Sequence, residues 1–464
     1  MEGYRLICTD CARVYDPAQV DYTCPECFAA WTPGKCLCGV LRVEFDDPGD
    51  FPGLKSGSHS EPRPPDQRRY AGLLPLADVS LLPDLPVGPT PLLGPARLRA
   101  QIRMPRLYLK DDTRLPTGSL KDRASSLVVA KAREKEHRTI ATASTGNAAT
   151  ALAGMCAASG LEAVILVPAA APTVKLVQML QYGAQVVRID GTYDDAFGLC
   201  LQAGDDLGWY NRSTAYNPYT IEGKKTVAFE IWEQLGGEVP DAVVVPVGDG
   251  VILAGVEKGF ADLERFGLIA RQPRLIAVQA AGSAAVVAAY RESEKAGRTE
   301  GATRARVEGA TRAAAETASH AGAGTGDRVP HEDRGTVRPL ERAETIADSI
   351  RVAAPANGRW ALAALQRTRG AGVTVSDEEI LDAVGLLARE SGVFAEPAGA
   401  AALAGALAAV HQGLLDPASS IVLLVTGSGL KDPEAAARGV ALPPVVPVTL
   451  DALLAPVSGT KAVK

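Results

Sequence analysis

Between Arg106 and Gly427 two kinds of hydrophobic patterning alternate. RLYLK, TIATA, EAVILVP, AQVVRI, AVVVPV, RLIAVQA and IVLLVTG are short and almost continuously apolar, as strands are when helices cover both faces of their sheet. Apolar positions recur at helical spacing over about 121–136, 147–159, 173–182, 194–207, 221–236, 251–265, 377–390 and 397–412. Strand and helix in this alternation predict an α/β protein with mainly parallel sheets. Ligands of such proteins collect beyond the carboxyl ends of the strands, so the loops that follow strands carry the functional expectations.

Three stretches break the alternation. Residues 1–45 hold six of the eight cysteines and form a first unit. Residues 46–84 follow as a linker and lead-in segment, rich in Pro, Gly and charge over 46–70. Within the main body, 85–445, residues 291–342 are of low complexity and nearly free of large apolar side chains; such a segment cannot bury enough surface to offset its ordering entropy and is expected to be a mobile insertion. The repeated GATRA inside it reads as composition drift. Residues 446–464 are left as a C-terminal tail.

The chain has 464 residues, 47% of them hydrophobic, and a formal net charge of −6. That charge argues against nucleic acid as a partner, which needs a basic surface to displace counterions. No apolar run approaches the roughly 20 residues of a membrane span, and MEGYRLICTDC lacks the basic and apolar regions of an export signal, so a cytoplasmic protein with no membrane partner is expected. The five histidines stand in polar linkers, in the low-complexity stretch or at helix ends. None is placed beside a nucleophile, which disfavours Ser-His-Asp and Cys-His hydrolases.

In a reducing compartment clustered thiols point to metal. Cys8-x2-Cys11 and Cys24-x2-Cys27, twelve residues apart, supply four thiolates for a zinc ribbon, a closed and therefore structural site. Cys36 and Cys38 could replace one pair, but a CxxC spacing forms a tight knuckle more readily than CxC. A ribbon that reads nucleic acid is the lesser alternative. Cys156 and Cys200 lie in apolar helical patterns and read as packing residues.

Three strand-to-helix junctions carry chemistry. Ser144-Thr145-Gly146-Asn147 follows TIATA, Gly248-Asp249-Gly250-Val251 follows AVVVPV, and Thr426-Gly427-Ser428-Gly429 follows IVLLV. Each suits an anion at a helix N-terminus, and each alone could be a well-capped turn. The glycine loop at 248 is neither a Walker sequence nor a complete GxGxxG, so it suits one phosphate. A fourth segment, PTGSLKDR at 116–123, sets Lys121 at a helix start, where a cation opposes the helix dipole. Three such loops and an isolated lysine imply a ligand with one phosphate, one electrophilic carbon and a polar ring. Pyridoxal 5'-phosphate (PLP) has all three, and its aldehyde accounts for Lys121.

PTGSLKDR, STGNAA, NPYTIEGKKTVAFEIWEQLG, VPVGDG, FAEPAGAAA and TGSGLKD, in this order, resemble threonine synthase and its relatives among the fold-type II PLP enzymes, from about Leu85 to Pro433 apart from the insertion. The resemblance implies a tryptophan synthase β-like fold. It has two doubly wound parallel-sheet domains, the smaller at about 122–235, preceded by the zinc ribbon. It implies that Lys121 holds the cofactor as a Schiff base and then shuttles protons. Asn147 would bond the cofactor's phenolic oxygen, Gly248, Asp249, Gly250 and Val251 its phosphate, and Thr426 its ring nitrogen. Ser144, Thr145 and Gly146 would grip the substrate carboxylate. Lys224 and Lys225, with Arg212 upstream, are the basic groups offered to a substrate phosphate, against the alternative of a solvated helix start. The implied ribbon ligands are Cys8, Cys11, Cys24 and Cys27, since Cys36 and Cys38 match non-cysteine positions.

Departures from the resemblance fall near the substrate. GDGVI stands where many threonine synthases have an Asn-rich GNxGN loop, Ala148 stands where a hydroxyl residue is common, and Ser428 replaces a larger polar residue. The expected reaction converts O-phosphohomoserine and water to threonine and phosphate. The alternatives are replacement on O-phosphoserine, as in cysteate synthase, a threonine or serine ammonia-lyase, or a catalytically silent zinc-ribbon binding protein. A homodimer acting on a small amino-acid substrate is expected from the relatives.

Overall fold

The computed structural model describes residues 3–45, 64–171, 173–296, 336–441, 443 and 445–449. Residues 297–335 of the expected insertion, the first part of the linker and most of the tail lie outside these. Strands β1 (Tyr4–Cys8), β2 (Val14–Tyr15) and β3 (Leu41–Phe45) form a small antiparallel sheet in the order β2-β1-β3. Along the chain come β4 (Leu92–Leu93), β5 (Leu107–Asp111), β6 (Thr139–Ala143), β7 (Glu162–Pro168), β8 (Gln185–Ile189), β9 (Tyr210–Asn211), β10 (Ala242–Pro246), β11 (Arg274–Ala280), β12 (Ala371–Val375) and β13 (Ile421–Val425). They build a four-stranded parallel sheet, β8-β7-β6-β9, and a six-stranded sheet, β12-β11-β10-β13-β5-β4, parallel but for the short edge strand β4. All seven apolar runs read as strands are strands, with helices on the sheets as fold-type II PLP enzymes have them.

Eight helices match the expected periodic segments to within a few residues. Those that position the site are α1 (Lys121–Glu134), α2 (Asn147–Ser159), α3 (Tyr219–Gln234) and α4 (Val251–Arg265). α3 is buried on every side because α1 and α4 sandwich it. Gly223 permits the approach: a Cβ there would lie 2.1 Å from the Arg123 carbonyl oxygen. Residues 64–84, read as linker, instead pack on the body: Tyr70, Leu73, Leu74 and Leu82 are buried, and the Tyr70 hydroxyl donates to Glu233 at 2.7 Å. The apolar side chains of this run, with Leu76, Val79 and Leu81 packed partly buried beside those four, account for the difference. Among the described residues no helix is long and apolar enough to cross a membrane.

A buried ion network joins α1, α3 and the end of β5. The Arg123 guanidinium, fully buried, donates to both Asp112 oxygens at 2.8 Å and to Glu230 at 2.5 and 2.8 Å. Lys110 meets Glu230 at 2.6 Å, and the Thr90 hydroxyl donates to Asp112 at 2.6 Å. Burial alone would raise the Glu230 carboxyl, but Arg123 and Lys110 outweigh it and hold the group down at about 2. Every charge here has a partner, the condition under which a buried network holds one geometry.

The N-terminal unit docks on both halves of the body. The Tyr22 hydroxyl accepts the Asn211 amide at 2.9 Å while its ring stacks on Tyr216, and the Tyr4 and Tyr219 hydroxyls share a 3.0 Å hydrogen bond. On the other side the Leu37 amide donates to the Ala356 carbonyl at 3.0 Å, and Arg359 pairs with Asp10 at 3.0 Å.

Replacing Glu230 by Gln leaves two buried cations short of charge and should cost about 3–5 kcal/mol in urea unfolding at neutral pH. Because the folded carboxyl sits below its unfolded value of about 4.3, its contribution is present above that pH and fades as pH falls from roughly 5 toward 2. The Glu230→Gln penalty should shrink over that window, as paired unfolding curves would show.

Candidate active site

The two larger sheets bring the carboxyl ends of β5, β6, β9, β10 and β13 to the loops singled out by sequence. Lys121 opens α1, and its neighbour Leu120 donates its amide to the Thr426 carbonyl at 2.8 Å, tying the helix start to the end of β13. Ser119 bridges Gly427, and its buried hydroxyl has no partner among the described residues. The half-buried Lys121 ammonium makes no hydrogen bond or ion pair there either. Burial pushes its proton affinity down; Asp249 and Glu396 oppose this and Arg212 adds to it. A lysine so placed keeps more of its amine neutral and nucleophilic at a given pH.

Asn147 begins α2, and its amide donates to Ser349 at 3.2 Å and to the two Glu396 oxygens at 3.0 and 3.1 Å. Ser144, Thr145 and Gly146 precede it, so this loop and Asn147 share one helix N-terminus. Glu396, missed in the sequence reading although FAEPAGAAA was singled out, precedes the helix Pro397–His411. Burial raises its carboxyl while Asn147 and Ser349 hold it partly down.

The 248–251 loop leans on residues 349–357. A Cβ on Gly248 would lie 3.0 Å from the Ile350 Cα, and the Asn357 amide donates to the Asp249 carbonyl at 2.8 Å. Gly250 has φ +89°, and a Cβ there would meet the Asn357 carbonyl oxygen at 2.8 Å. Asp249's carboxylate accepts the Val251 amide at 3.0 Å, so one of the four amides expected to face a phosphate already has an anion. Burial opposes that charge, but Lys121 and Lys224 lower its proton affinity overall.

The two lysines of EGKKT diverge. Both are fully buried, so a solvated helix start is ruled out. Lys225 pairs with Glu222 at 2.5 Å and Asp262 at 2.8 Å and lies over the Phe45 ring, in a cluster under the N-terminal sheet. Its charge is answered there, and it leaves the set of binding candidates. Lys224 joins the site: burial, then Lys121 and Arg212, push its ammonium well below the usual range, with Asp249 the opposing charge.

Cys8, Cys11, Cys24 and Cys27 bring their sulfurs within 4.8 Å of one another, with Cys8 to Cys27 and Cys11 to Cys24 each 3.8 Å. Four thiolates around a zinc at about 2.3 Å would sit about 3.8 Å apart, so the cluster can hold a metal without rearrangement. Cys36 points to the Val337 carbonyl and Cys38 to the Cys36 carbonyl, outside the cluster. Cys156 and Cys200 are buried packing residues.

Residues 84–427 match a family described as pyridoxal-phosphate dependent enzyme. Threonine synthase of Methanocaldococcus jannaschii is 33% identical over 432 residues, 93% of this chain and 94% of that protein. Threonine synthase of Methanosarcina acetivorans is 33% identical over 454 residues, 97% and 98%. The solved structure of processed threonine deaminase isoform 2 from Solanum lycopersicum superposes with a TM-score of 0.58 at 22% identity, covering 75% of this chain and 86% of that one. At that identity the likeness speaks for the fold.

Gly250→Ala combines a left-handed φ with a backbone collision and should cost roughly 1–3 kcal/mol or more. Thermal unfolding measured against Gly236→Ala, which also has a positive φ but open space around it, separates the collision from the φ strain.

Proposed function

Because the chain belongs to the pyridoxal-phosphate dependent enzymes and, within them, to the threonine synthases, we propose that it converts O-phosphohomoserine and water to threonine and phosphate. The observation that carries this is Lys121, an unpaired amine of lowered proton affinity at a helix start, ringed by Asn147, Thr426 and a glycine loop from three strand ends. The site fits PLP on its own terms. Gly248 and Gly250 let the loop pack closely on residues 349–357, and the buried Ser119 hydroxyl and the Lys121 amine lack partners among the described residues, so a polar ligand has groups to meet there.

Lys121 would carry the cofactor covalently, Asn147 would turn its amide from Glu396 to the phenolic oxygen, and Thr426 would meet the ring nitrogen. Gly248, Asp249 and Gly250 would line the phosphate, with Val251 available once Asp249 releases its amide. When bound, PLP supplies an electron sink that lets protons leave carbons beside the substrate amine. Ser144, Thr145 and Gly146 would hold the substrate carboxylate at the α2 N-terminus, fixing Cα against Lys121. The freed Lys121 amine would take the protons of Cα and Cβ as the phosphate departs from Cγ and return one to Cγ and one to Cα, while water gives its hydroxyl to Cβ and its other proton to the departing phosphate.

We assign zinc to the four-cysteine cluster as a structural ion, on the fit of the sulfur spacing. All eight cysteines are unpaired, which supports a reducing, cytoplasmic setting, and a homodimer follows the relatives.

With O-phosphohomoserine the protein should release phosphate and threonine in equal amounts, while threonine gives little 2-oxobutyrate and phosphoserine with sulfite gives little cysteate. Oxobutyrate from threonine as the dominant activity would place the chain with the ammonia-lyases instead. Lys121→Ala should abolish the visible absorbance of bound cofactor and lower turnover by at least about a hundredfold. Elemental analysis should find one zinc per chain, lost in Cys11→Ser.

A further inference from the structure

Arg212 lies just past β9, its amide donating to the Ala141 carbonyl of β6 at 2.8 Å. Its side chain is fully buried; Nε donates to the Ser125 hydroxyl at 3.1 Å, but Nη1 and Nη2 have no partner among the described residues. A buried guanidinium with two idle donors is costly unless something arrives to meet it. Lys224 is in the same condition: fully buried, with Nζ only 3.4 Å from the Thr214 hydroxyl. Lys225, one residue on, shows what an answered lysine looks like in this fold, with two carboxylates on its ammonium.

The Arg212 charge acts on both Lys121 and Lys224, and that of Lys121 on Lys224, so the three cations lie close together. The carboxylate that faces Lys224 is Asp249, which also serves the Val251 amide. Arg212 senses Asp249 and, more weakly, Tyr193 and Asp122. Glu396 beside Lys121 and Asp122 beside Arg212 add to Asp249, but burial raises the proton affinity of both, and neither bonds the Arg212 fork. A planar two-donor fork beside an ammonium is matched by a doubly charged tetrahedral oxyanion, a phosphomonoester.

We propose that Arg212, with Lys224 as its second donor, forms the subsite that holds the phosphoryl group the substrate loses. This rests on the reading of the site as one acting on an O-phosphorylated amino acid. The same chemistry exists on the cofactor's tail, but topology favours the substrate. Arg212 leaves β9 of the four-stranded sheet, and β6, its hydrogen-bonded neighbour, carries the 144–146 loop for the substrate carboxylate. The glycine loop for the cofactor's phosphate leaves β10 of the other sheet. Both handles of the substrate then hang from one sheet.

The test uses the cofactor-loaded enzyme. Inorganic phosphate is titrated in by calorimetry, the KM for O-phosphohomoserine is measured, and cofactor affinity is read separately from visible absorbance. Arg212→Gln should weaken phosphate binding and raise KM by about tenfold to a hundredfold, with cofactor affinity changed less than about threefold. Lys224→Gln should weaken phosphate binding by about tenfold, with cofactor affinity again little changed. Arg212→Lys keeps charge but loses the fork and should fall in between; should Arg212→Gln fail to fold, it carries the same comparison. Unchanged phosphate affinity and KM would overturn the proposal, as would a loss confined to cofactor affinity, which would give the guanidinium to the cofactor's tail. The phosphate titration needs no turnover, so Arg212-dependent phosphate binding in a protein that forms no threonine would keep the subsite and sink the reaction.

Discussion

Arg123 decides where Lys121 can be. Its guanidinium is closed in by Asp112 at the end of β5 and Glu230 on α3, all three side chains fully buried. Lys121 stands two residues earlier on the same first turn of α1, so it faces away from that network and toward the strand ends. The Leu120 amide on the Thr426 carbonyl pins the other side of the turn. A lysine on a mobile loop could reach a ligand but could not keep its amine desolvated, and here the desolvation makes the amine reactive. The N-terminal unit adds to the same frame. Through Tyr22 it holds the amide of Asn211, beside Arg212; through Leu37 it holds the carbonyl of Ala356, beside the Asn357 that carries Asp249.

The pocket is built around an imbalance of charge. Elsewhere among the described residues buried cations are answered: Lys110 and Arg123 with Glu230 and Asp112, Lys225 and Lys258 with Glu222 and Asp262. At the strand ends Lys121, Arg212 and Lys224 have no ion pair among the described residues, with Asp249 the carboxylate common to all three. A site that must accept a phosphorylated cofactor and a phosphorylated substrate has use for such a surplus, and desolvation makes it select strongly for anions.

What could be read from sequence follows from how each element is packed. Strands covered on both faces show as apolar runs, and seven were legible. β12 was not, because AGVTV is small where bulk would collide: a Cβ on Gly370 would lie 2.2 Å from the Leu275 carbonyl oxygen, and one on Gly372 3.0 Å from Val287. The helix Gly358–Arg367 was hidden by its nearness to the low-complexity stretch. The glycine and hydroxyl loops were legible because close approach restricts residue type. The fates of Lys224 and Lys225 were not, since they depend on α1 and α4 burying both faces of α3 and on an aspartate, Asp262, far along the chain. Glu396 escaped for the same reason, its partner Asn147 lying on the other sheet.

Two lysines of depressed proton affinity share the pocket, and the account rests on only one of them forming the covalent link. Borohydride reduction of the cofactor-loaded protein, followed by peptide mass mapping, tells them apart. The reduced cofactor should be found on the peptide containing Lys121 and not on the one containing Lys224. Label on Lys224, or on neither, would contradict the account.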